Sequence, residues 1–215
     1  MGLEFNHKSD KIIPEVQRMI VRLANGITDQ FEKENFISHE LRDHYVYALI
    51  TMIERALTIT SIVALSLLIN EFVPSIIFLL AFFSLRRHTG GYHAKEFWQC
   101  YLESLITYIG VLFLSHEITG YMGIVYVCLI VALIYICVVG TVNHPNMAMD
   151  YSELVKSKKA ARHMALLQFG LILFMAVTGG NKRYIGIMSM AVILCAALML
   201  IAKIKKQEVQ CNETD

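Results

Sequence analysis

The sequence predicts an all-α integral membrane protein with about six transmembrane helices and an amphipathic helical segment at its N-terminus. Hydrophobic residues make up 56% of the 215 positions and charged residues only 17%, whereas a soluble domain carries about a quarter charged residues. The apolar residues also occur in long blocks, as in membrane-crossing helices. The net charge of +1 gives no indication of nucleic-acid binding, and no nucleic-acid partner is expected.

An amphipathic helix is predicted within residues 1–40, ahead of the first apolar block. We expect it to begin near Ser9 or Asp10, which are good N-cap residues, with Pro14 in the first turn or so. Such a helix either lies in the membrane interface or packs against the protein's own membrane domain, and the sequence leaves both open. Residues 1–10 are polar, so no secretory signal is expected. The apolar residues at helical spacing are Ile12, Val16, Met19, Leu23, Ile27 and Phe31.

Six apolar blocks follow in quick succession. Two of them, 72–85 and 164–177, are short, because a helix needs about 20 residues to cross a bilayer. Four spans are therefore the alternative to six. A polar loop is expected over residues 143–163. The six blocks cover residues 47–69, 72–85, 97–114, 121–142, 164–177 and 184–202.

Basic residues collect on one side of the membrane if there are six spans. The positive-inside rule then predicts a cell-membrane protein with both termini in the cytoplasm, together with the polar gap between the second and third blocks. Lys182 and Arg183 are the exception, since they fall on the other side. The predicted organisation is an amphipathic segment (1–40), a membrane domain (41–203) and a cytoplasmic tail (204–215).

The polar gap carries the most chemistry. It reads Arg86-Arg87-His88-Thr89-Gly90-Gly91-Tyr92-His93-Ala94-Lys95, and Cys100 follows the histidine by seven residues. A cysteine reacts as its thiolate, which a neighbouring histidine and a helix N-terminus both stabilise. In one straight helix the two side chains would lie about 10 Å apart along the axis. We therefore predict that the backbone bends between residues 90 and 97, where the paired glycines supply the conformational freedom.

Less reactive roles for these residues remain open. A histidine in a membrane-edge loop can be a polar anchor, and a cysteine can serve packing alone. Zinc is a further alternative, with His88, His93, Cys100 and His144 as ligands, although their spacing matches no standard zinc pattern. We expect no metal and no cofactor. The other cysteines are Cys128, Cys137 and Cys195, which are expected to act as small hydrophobic residues, and Cys211 in the polar tail.

The gap resembles the core motif of the accessory gene regulator B family, AgrB. This resemblance extends over most of the chain and includes a His144-Pro145-Asn146 segment. The family often continues there with Lys-Pro-Leu, whereas this chain has Met147-Ala148-Met149, which puts any role of that loop in doubt. The motif residues are Arg86-Arg87, Gly91, His93-Ala94, Phe97-Trp98, Cys100 and Tyr101-Leu102-Glu103-Ser104.

The resemblance implies a membrane cysteine endopeptidase that matures quorum-sensing peptides. Its substrate would be a precursor peptide similar to AgrD, with an amphipathic leader, a central signal sequence and an acidic tail. Membrane lipids and a second copy of the chain, in a homodimer, are the other implied partners. Glu103 either binds substrate, orients His93 or makes an intramembrane polar contact. The resemblance implies that His93 and Cys100 are catalytic and that Arg86, Arg87 and Gly91 are functionally required. We expect Gly90 and Gly91 to be structural, and Arg86, Arg87, Lys95 and Glu103 to bind substrate. For the three basic residues, pairing with lipid phosphate headgroups or setting the topology alone are the open alternatives.

Two other classes compete with a peptidase that also cyclises its product. A small peptide exporter would use the polar gap as a re-entrant loop lining a path. A metal-binding membrane hydrolase would use it as a ligand set. Loss of precursor cleavage on Cys100→Ala, in protein that still inserts into the membrane, would favour the peptidase.

Overall fold

A computed structural model describes residues 15–92, 97–143 and 151–206 of the chain. Within these ranges the secondary structure consists of seven α-helices and two 3₁₀ turns, and no strand is formed. The 3₁₀ turns are His39–Leu41 and Ile118–Gly120. The helices are α1 Glu15–Lys33, α2 Arg42–Leu68, α3 Phe72–Thr89, α4 Phe97–Glu117, α5 Met122–Val139, α6 Tyr151–Val177 and α7 Lys182–Ile204.

Five helical segments in the described ranges are long and apolar enough to cross a membrane. The predicted all-α polytopic membrane fold is therefore confirmed. Helix α3 is not one of the five; it has 18 residues, and its last turn holds Arg86, Arg87 and His88. The five segments are His39–Leu68, Phe97–Gly120, Met122–Val139, Tyr151–Val177 and Lys182–Ile204.

The polar loop expected over residues 143–163 is wrong for its second half, because α6 already begins at Tyr151. Lysine, arginine and alanine are good helix formers, so a stretch too polar for the membrane core still continues the helix. Leu154 and Ala161 in this extension are buried, in line with Ala165 further along the same helix. Residues 151–163, which the sequence placed in a loop, are thus the polar first turns of a 27-residue helix.

The chain divides into two compact units. The first comprises residues 1–61 and 95–104 and contains α1 and the first parts of α2 and α4. One face of α1 is buried, at Ile20, Ala24 and Thr28, each four residues after the last. Arg42 at the start of α2 donates a hydrogen bond of 2.6 Å to Asp29 of α1.

Apolar side chains also remain on the outer surface of α1. Met19 is 68% exposed and Leu23 is 55% exposed, and they lie one turn apart on the helix. Their exposure leaves an apolar strip beside the buried face. The apolar residues of α1 therefore form two strips along the helix, one buried and one exposed.

The second unit comprises residues 62–94 and 105–215, and α7 is its central helix. α7 packs against α3, α5 and α6. Of its most apolar stretch, 61% is buried, compared with 22% for the corresponding stretches of α5 and α6. Gln168 of α6 joins this group to α3 by donating to the Ala81 carbonyl at 2.7 Å and to the Ser84 hydroxyl at 2.8 Å.

An ion pair closes the unit at the N-terminal end of α3. Arg183 at the start of α7 donates to Glu71 Oε2 at 2.8 Å, and its Nε donates to Ser115 Oγ at 3.1 Å. His116 Nε2 lies 3.3 Å from the other oxygen of Glu71. Arg183 was the exception to the predicted charge distribution, and here its positive charge faces a carboxylate.

Candidate active site

Helix α3 ends in a turn that only glycine fits well. Gly90 has φ of 61° and ψ of −146°, and Gly91 has φ of 123°. Side chains larger than hydrogen disfavour these conformations. A Cβ on Gly90 would lie 2.5 Å from the carbonyl oxygen of Val142, and a Cβ on Gly91 would collide with the guanidinium of Arg86. The paired glycines therefore allow both the turn and the close approach of its neighbours.

The segment after α5 fixes the end of α3 from one side. The amide of Val142 donates to the carbonyl of Thr89 at 3.0 Å, and Gly90 and Val142 form an isolated parallel bridge. The hydroxyl of Thr141 donates to the carbonyl of His88 at 2.7 Å. Carbonyls at a helix end that lack intrahelical partners are satisfied in this way. Thr89, Gly90 and Val142 are buried.

Arg86 fixes the same turn from within. Its Nη1 donates to the carbonyl of Gly90, and its Nη2 donates to the carbonyl of Tyr92 at 2.6 Å. The planar guanidinium thus bridges two carbonyls on either side of Gly91. Substrate binding was the role expected for Arg86, and that expectation stays a prediction. The contacts described here are with the backbone of the motif itself.

Tyr92, the residue before His93, contacts the C-terminal part of α7. Its amide donates to the carbonyl of Leu198 at 3.1 Å, and the ammonium of Lys205 lies 4.1 Å from the centre of its ring. Neither contact could be predicted from the sequence. Tyr92 and Lys205 are far apart in the chain, and no spacing rule connects a tyrosine in a loop with a lysine in a basic tail.

His93 and Lys95 lie outside the described residues, as do His144 and Cys211. The expected bend between residues 90 and 97 therefore falls only partly within them. In the described part, residues 90–92 are not helical and α4 begins at Phe97. The chain consequently leaves the α3 helix before His93 and enters α4 after it.

Cys100 lies in the first turn of α4, within the first unit, and is partly exposed. The positive end of the helix dipole is therefore close to its sulfur, and such a position stabilises an anion. The hydroxyl of Ser104, one turn later, donates to the Cys100 carbonyl at 2.7 Å. The next residue, Tyr101, donates from its hydroxyl to Ser61 of α2 at 2.9 Å. These bonds hold the turn that carries Cys100.

The other predicted substrate-binding residues in the described ranges, Arg87 and Glu103, are both exposed. Glu103 is three residues after Cys100 on α4, so their side chains lie on neighbouring parts of the helix surface. Arg87 is next to His88, which is partly buried. Burial, together with the charge of Arg87, lowers the pKa of His88 below its ordinary value.

Among the described residues, no three His, Cys, Asp or Glu side chains cluster closely enough to bind a metal ion. These residues therefore provide no complete set of zinc ligands. Among the described cysteines other than Cys100, Cys128 is exposed on α5, Cys137 is intermediate and Cys195 is buried. The Cys195 sulfur lies 3.8 Å from the Phe82 carbonyl. A thiol that is neither exposed nor near a helix N-terminus is not activated as a nucleophile. Cys195 differs from Cys100 in both respects.

Two crevices of about 390 and 400 Å³ lie at the other end of α3 from the glycine turn. Both include Glu71 in their lining. One also contains Arg183 and Tyr184, and the other contains His116 and Phe113. Neither includes a residue of the motif, so these two crevices are separate from the candidate chemistry.

Comparison with known proteins places the chain in a family. Neither the curated proteins nor the solved structures gave a match. The sequence pattern of one protein family, AgrB, described as accessory gene regulator B, matches residues 24–201. That match covers most of the chain, including the glycine turn and Cys100. The chain therefore belongs to the accessory gene regulator B family.

Proposed function

We propose that the protein is a membrane cysteine endopeptidase that removes the acidic tail of an AgrD-like precursor peptide and closes the remaining signal peptide into a ring. Its family membership makes it a membrane protein of the accessory gene regulator system. The observation that carries the chemical part of the proposal is the position of Cys100. It is partly exposed in the first turn of a helix, and His93 precedes it by seven residues.

The first step of the proposed reaction cleaves the precursor. His93 takes the proton of the Cys100 thiol, and the thiolate attacks the carbonyl carbon at the junction of signal and tail. As the carbon–nitrogen bond breaks, the imidazolium returns the proton to the leaving amine. The tail departs with a new amino terminus, and the signal peptide stays on Cys100 as a thioester.

The second step releases the product as a ring. A cysteine thiol within the peptide gives up its proton and attacks the thioester carbonyl, which produces a thiolactone and returns the proton to Cys100. A serine would give a lactone in the same way. One thioester replaces another at little cost in free energy, so the acyl-enzyme conserves the energy of the broken amide. Excluding water from Cys100 protects this intermediate from hydrolysis.

Charged residues of the motif supply the proposed recognition of the precursor. Arg87 is exposed and, with Lys95, provides positive charge for an acidic tail. Glu103, exposed one turn beyond Cys100, contacts the peptide or orients His93. We further propose that the motif and both termini lie on the cytoplasmic side, where an unprocessed peptide is found, and that the enzyme acts as a homodimer.

Cleavage of a precursor peptide by membranes containing Cys100 variants tests the proposal. Cys100→Ala is expected to abolish cleavage, and Cys100→Ser to reduce it strongly, because a hydroxyl is a far weaker nucleophile at neutral pH. Cys128→Ala, which removes an exposed thiol on α5, is the matched control and should cleave at the wild-type rate. Membrane insertion of every variant is measured in parallel.

Trapping the intermediate provides the second test. A precursor whose ring-forming cysteine is replaced by alanine cannot close, so wild-type protein should accumulate an adduct on Cys100 with the mass of the signal peptide. Normal cleavage by Cys100→Ala would disprove the peptidase proposal. Uptake of intact precursor into vesicles without cleavage would favour an exporter, and activity lost on chelation would favour a metal-dependent hydrolase.

A further inference from the structure

We propose that the C-terminal part of α7 positions the segment that carries His93, with Tyr92 and Lys205 as the contact pair and Arg86 as the clamp on the turn before it. The inference rests on the proposed function, in which His93 is the base. It assigns a role to Lys205, a residue outside the motif, and a positioning role to Arg86.

The backbone contact comes first. The amide of Tyr92 donates to the Leu198 carbonyl at 3.1 Å, so the residue directly before His93 is fixed to α7. Consecutive Cα atoms across a trans peptide are about 3.8 Å apart. Because a single peptide bond joins His93 to Tyr92, anchoring Tyr92 would restrict how far His93 can move, and that restriction is the basis of the proposed role. A catalytic base gains most from such confinement, because small displacements of a reacting group slow the chemical step severely.

The side-chain contact reinforces the backbone contact. The Lys205 ammonium lies 4.1 Å from the centre of the Tyr92 ring, within the range of a cation–π attraction. Lys205 follows the last residue of α7 and forms its C-cap, where the negative end of the helix dipole also favours a cation. Its position is thus stabilised by α7 whether or not Tyr92 is present.

Arg86 completes the arrangement from the side of α3. Its guanidinium donates to the carbonyls of Gly90 and Tyr92, and the planar fork of arginine suits two such acceptors, whereas a lysine offers a single ammonium. Gly91 between them leaves no room for a Cβ beside the guanidinium. The turn is consequently held at both of its ends, by α3 through Arg86 and by α7 through Leu198.

A positioning residue and a substrate-binding residue differ in their kinetic signatures. Loss of positioning lowers kcat and leaves KM nearly unchanged, because the substrate still binds but the base is displaced. Loss of a contact with the acidic tail raises KM instead. Lys205 is exposed, so its removal leaves no cavity, and a defect in its variant is not a packing defect.

The experiment measures kcat and KM for precursor cleavage by the full-length protein in membranes. Tyr92→Leu and Lys205→Met are each expected to lower kcat roughly 5- to 10-fold, with KM within about twofold of wild type. Tyr92→Phe keeps the ring, and Lys205→Arg keeps the cation, so both should retain at least half of kcat. The matched control is Lys206→Met, which removes the neighbouring exposed lysine and should change neither constant.

A double variant tests whether the two residues act through each other. Tyr92→Leu combined with Lys205→Met should be no slower than Tyr92→Leu alone, because the contact is already lost. Multiplied effects would show that the residues act separately and would overturn the pairing. If Tyr92→Leu inserts poorly into membranes, Lys205→Met and its arginine counterpart decide the question.

The alkylation of Cys100 by iodoacetamide supplies a readout that needs no peptide. If the contacts of Tyr92 with Leu198 and Lys205 position His93 to deprotonate Cys100, Lys205→Met should slow alkylation at neutral pH. Lys205→Arg should then be alkylated at the wild-type rate. A raised KM with unchanged kcat, or wild-type kinetics in Lys205→Met, would overturn the inference. If either of these results is obtained while Cys100→Ala still abolishes cleavage, only the positioning role is wrong. If Cys100→Ala cleaves the precursor, the proposed function is wrong as well.

Discussion

Arg86 donates a hydrogen bond of 2.6 Å to the backbone carbonyl of Tyr92. This bond connects the last turn of α3 with the residue that precedes His93. The arginine side chain thereby reaches past both glycines of the motif. The two arginines of the basic pair therefore differ in their environment: Arg86 is half-buried against the backbone, whereas Arg87 is exposed.

Substitution of Gly91 by alanine is expected to reduce cleavage about tenfold or more. Its φ of 123° is a conformation that costs other residues on the order of 1–3 kcal/mol, and the new Cβ would displace the guanidinium of Arg86. The measurement is the cleavage rate per inserted molecule. The control is Gly170→Ala in α6, where a Cβ meets nothing within 4 Å and the helix gains roughly 0.5–1 kcal/mol. Equal rates for the two variants would contradict the requirement for glycine at position 91.

Substitution of Arg87 by glutamine is expected to raise KM several-fold for a precursor with an acidic tail. Exposed charge pairs contribute about 0–1 kcal/mol and weaken with salt, so the difference from wild type should shrink as ionic strength rises. A precursor with a neutral tail should show no difference between the variant and wild type. An equal KM effect on both precursors would instead mean that Arg87 does not contact the tail.

Substitution of Arg183 by methionine is expected to destabilise the protein by on the order of 1–3 kcal/mol, because it leaves the largely buried Glu71 carboxylate without its cation. The side chains of Arg183 and Glu71 are 21% and 20% exposed. Thermal unfolding in detergent measures the effect. The double variant with Glu71→Gln should be more stable than Arg183→Met alone. Lys182→Met, at an exposed neighbour, should change stability by less than about 0.5 kcal/mol.

The stability of the protein is expected to depend on His88 in acid. Burial, with the neighbouring Arg87, lowers the pKa of His88 from its ordinary value of 6.5. The unfolded chain therefore binds more protons between the two pKa values, so this contribution to stability falls as pH drops below about 6.5 and is constant above it. The unfolding temperature of wild type should therefore fall relative to that of His88→Gln as the pH drops below about 6.5. Parallel curves would refute the contribution.

Sequence patterns predicted the fold class because hydrocarbon imposes a simple rule. A chain in lipid must satisfy its backbone hydrogen bonds internally, so long apolar blocks become helices. The same patterns failed at residues 151–163, where polarity suggested a loop and α6 begins instead. The polarity of a segment indicates whether it is exposed to water, but not whether it is helical. Helix formation depends on helix propensity and on the packing of residues such as Leu154 and Ala161.

The sequence by itself determined that this is a helical membrane protein and singled out His93 and Cys100 as the candidate reactive pair. Spacing and residue type carry that information locally. Only the tertiary structure decided what surrounds the turn: Arg86 on the carbonyls of Gly90 and Tyr92, and Tyr92 against Leu198 and Lys205. Such contacts join residues far apart in the chain, and their geometry arises when α3 and α7 pack together, which no local pattern records.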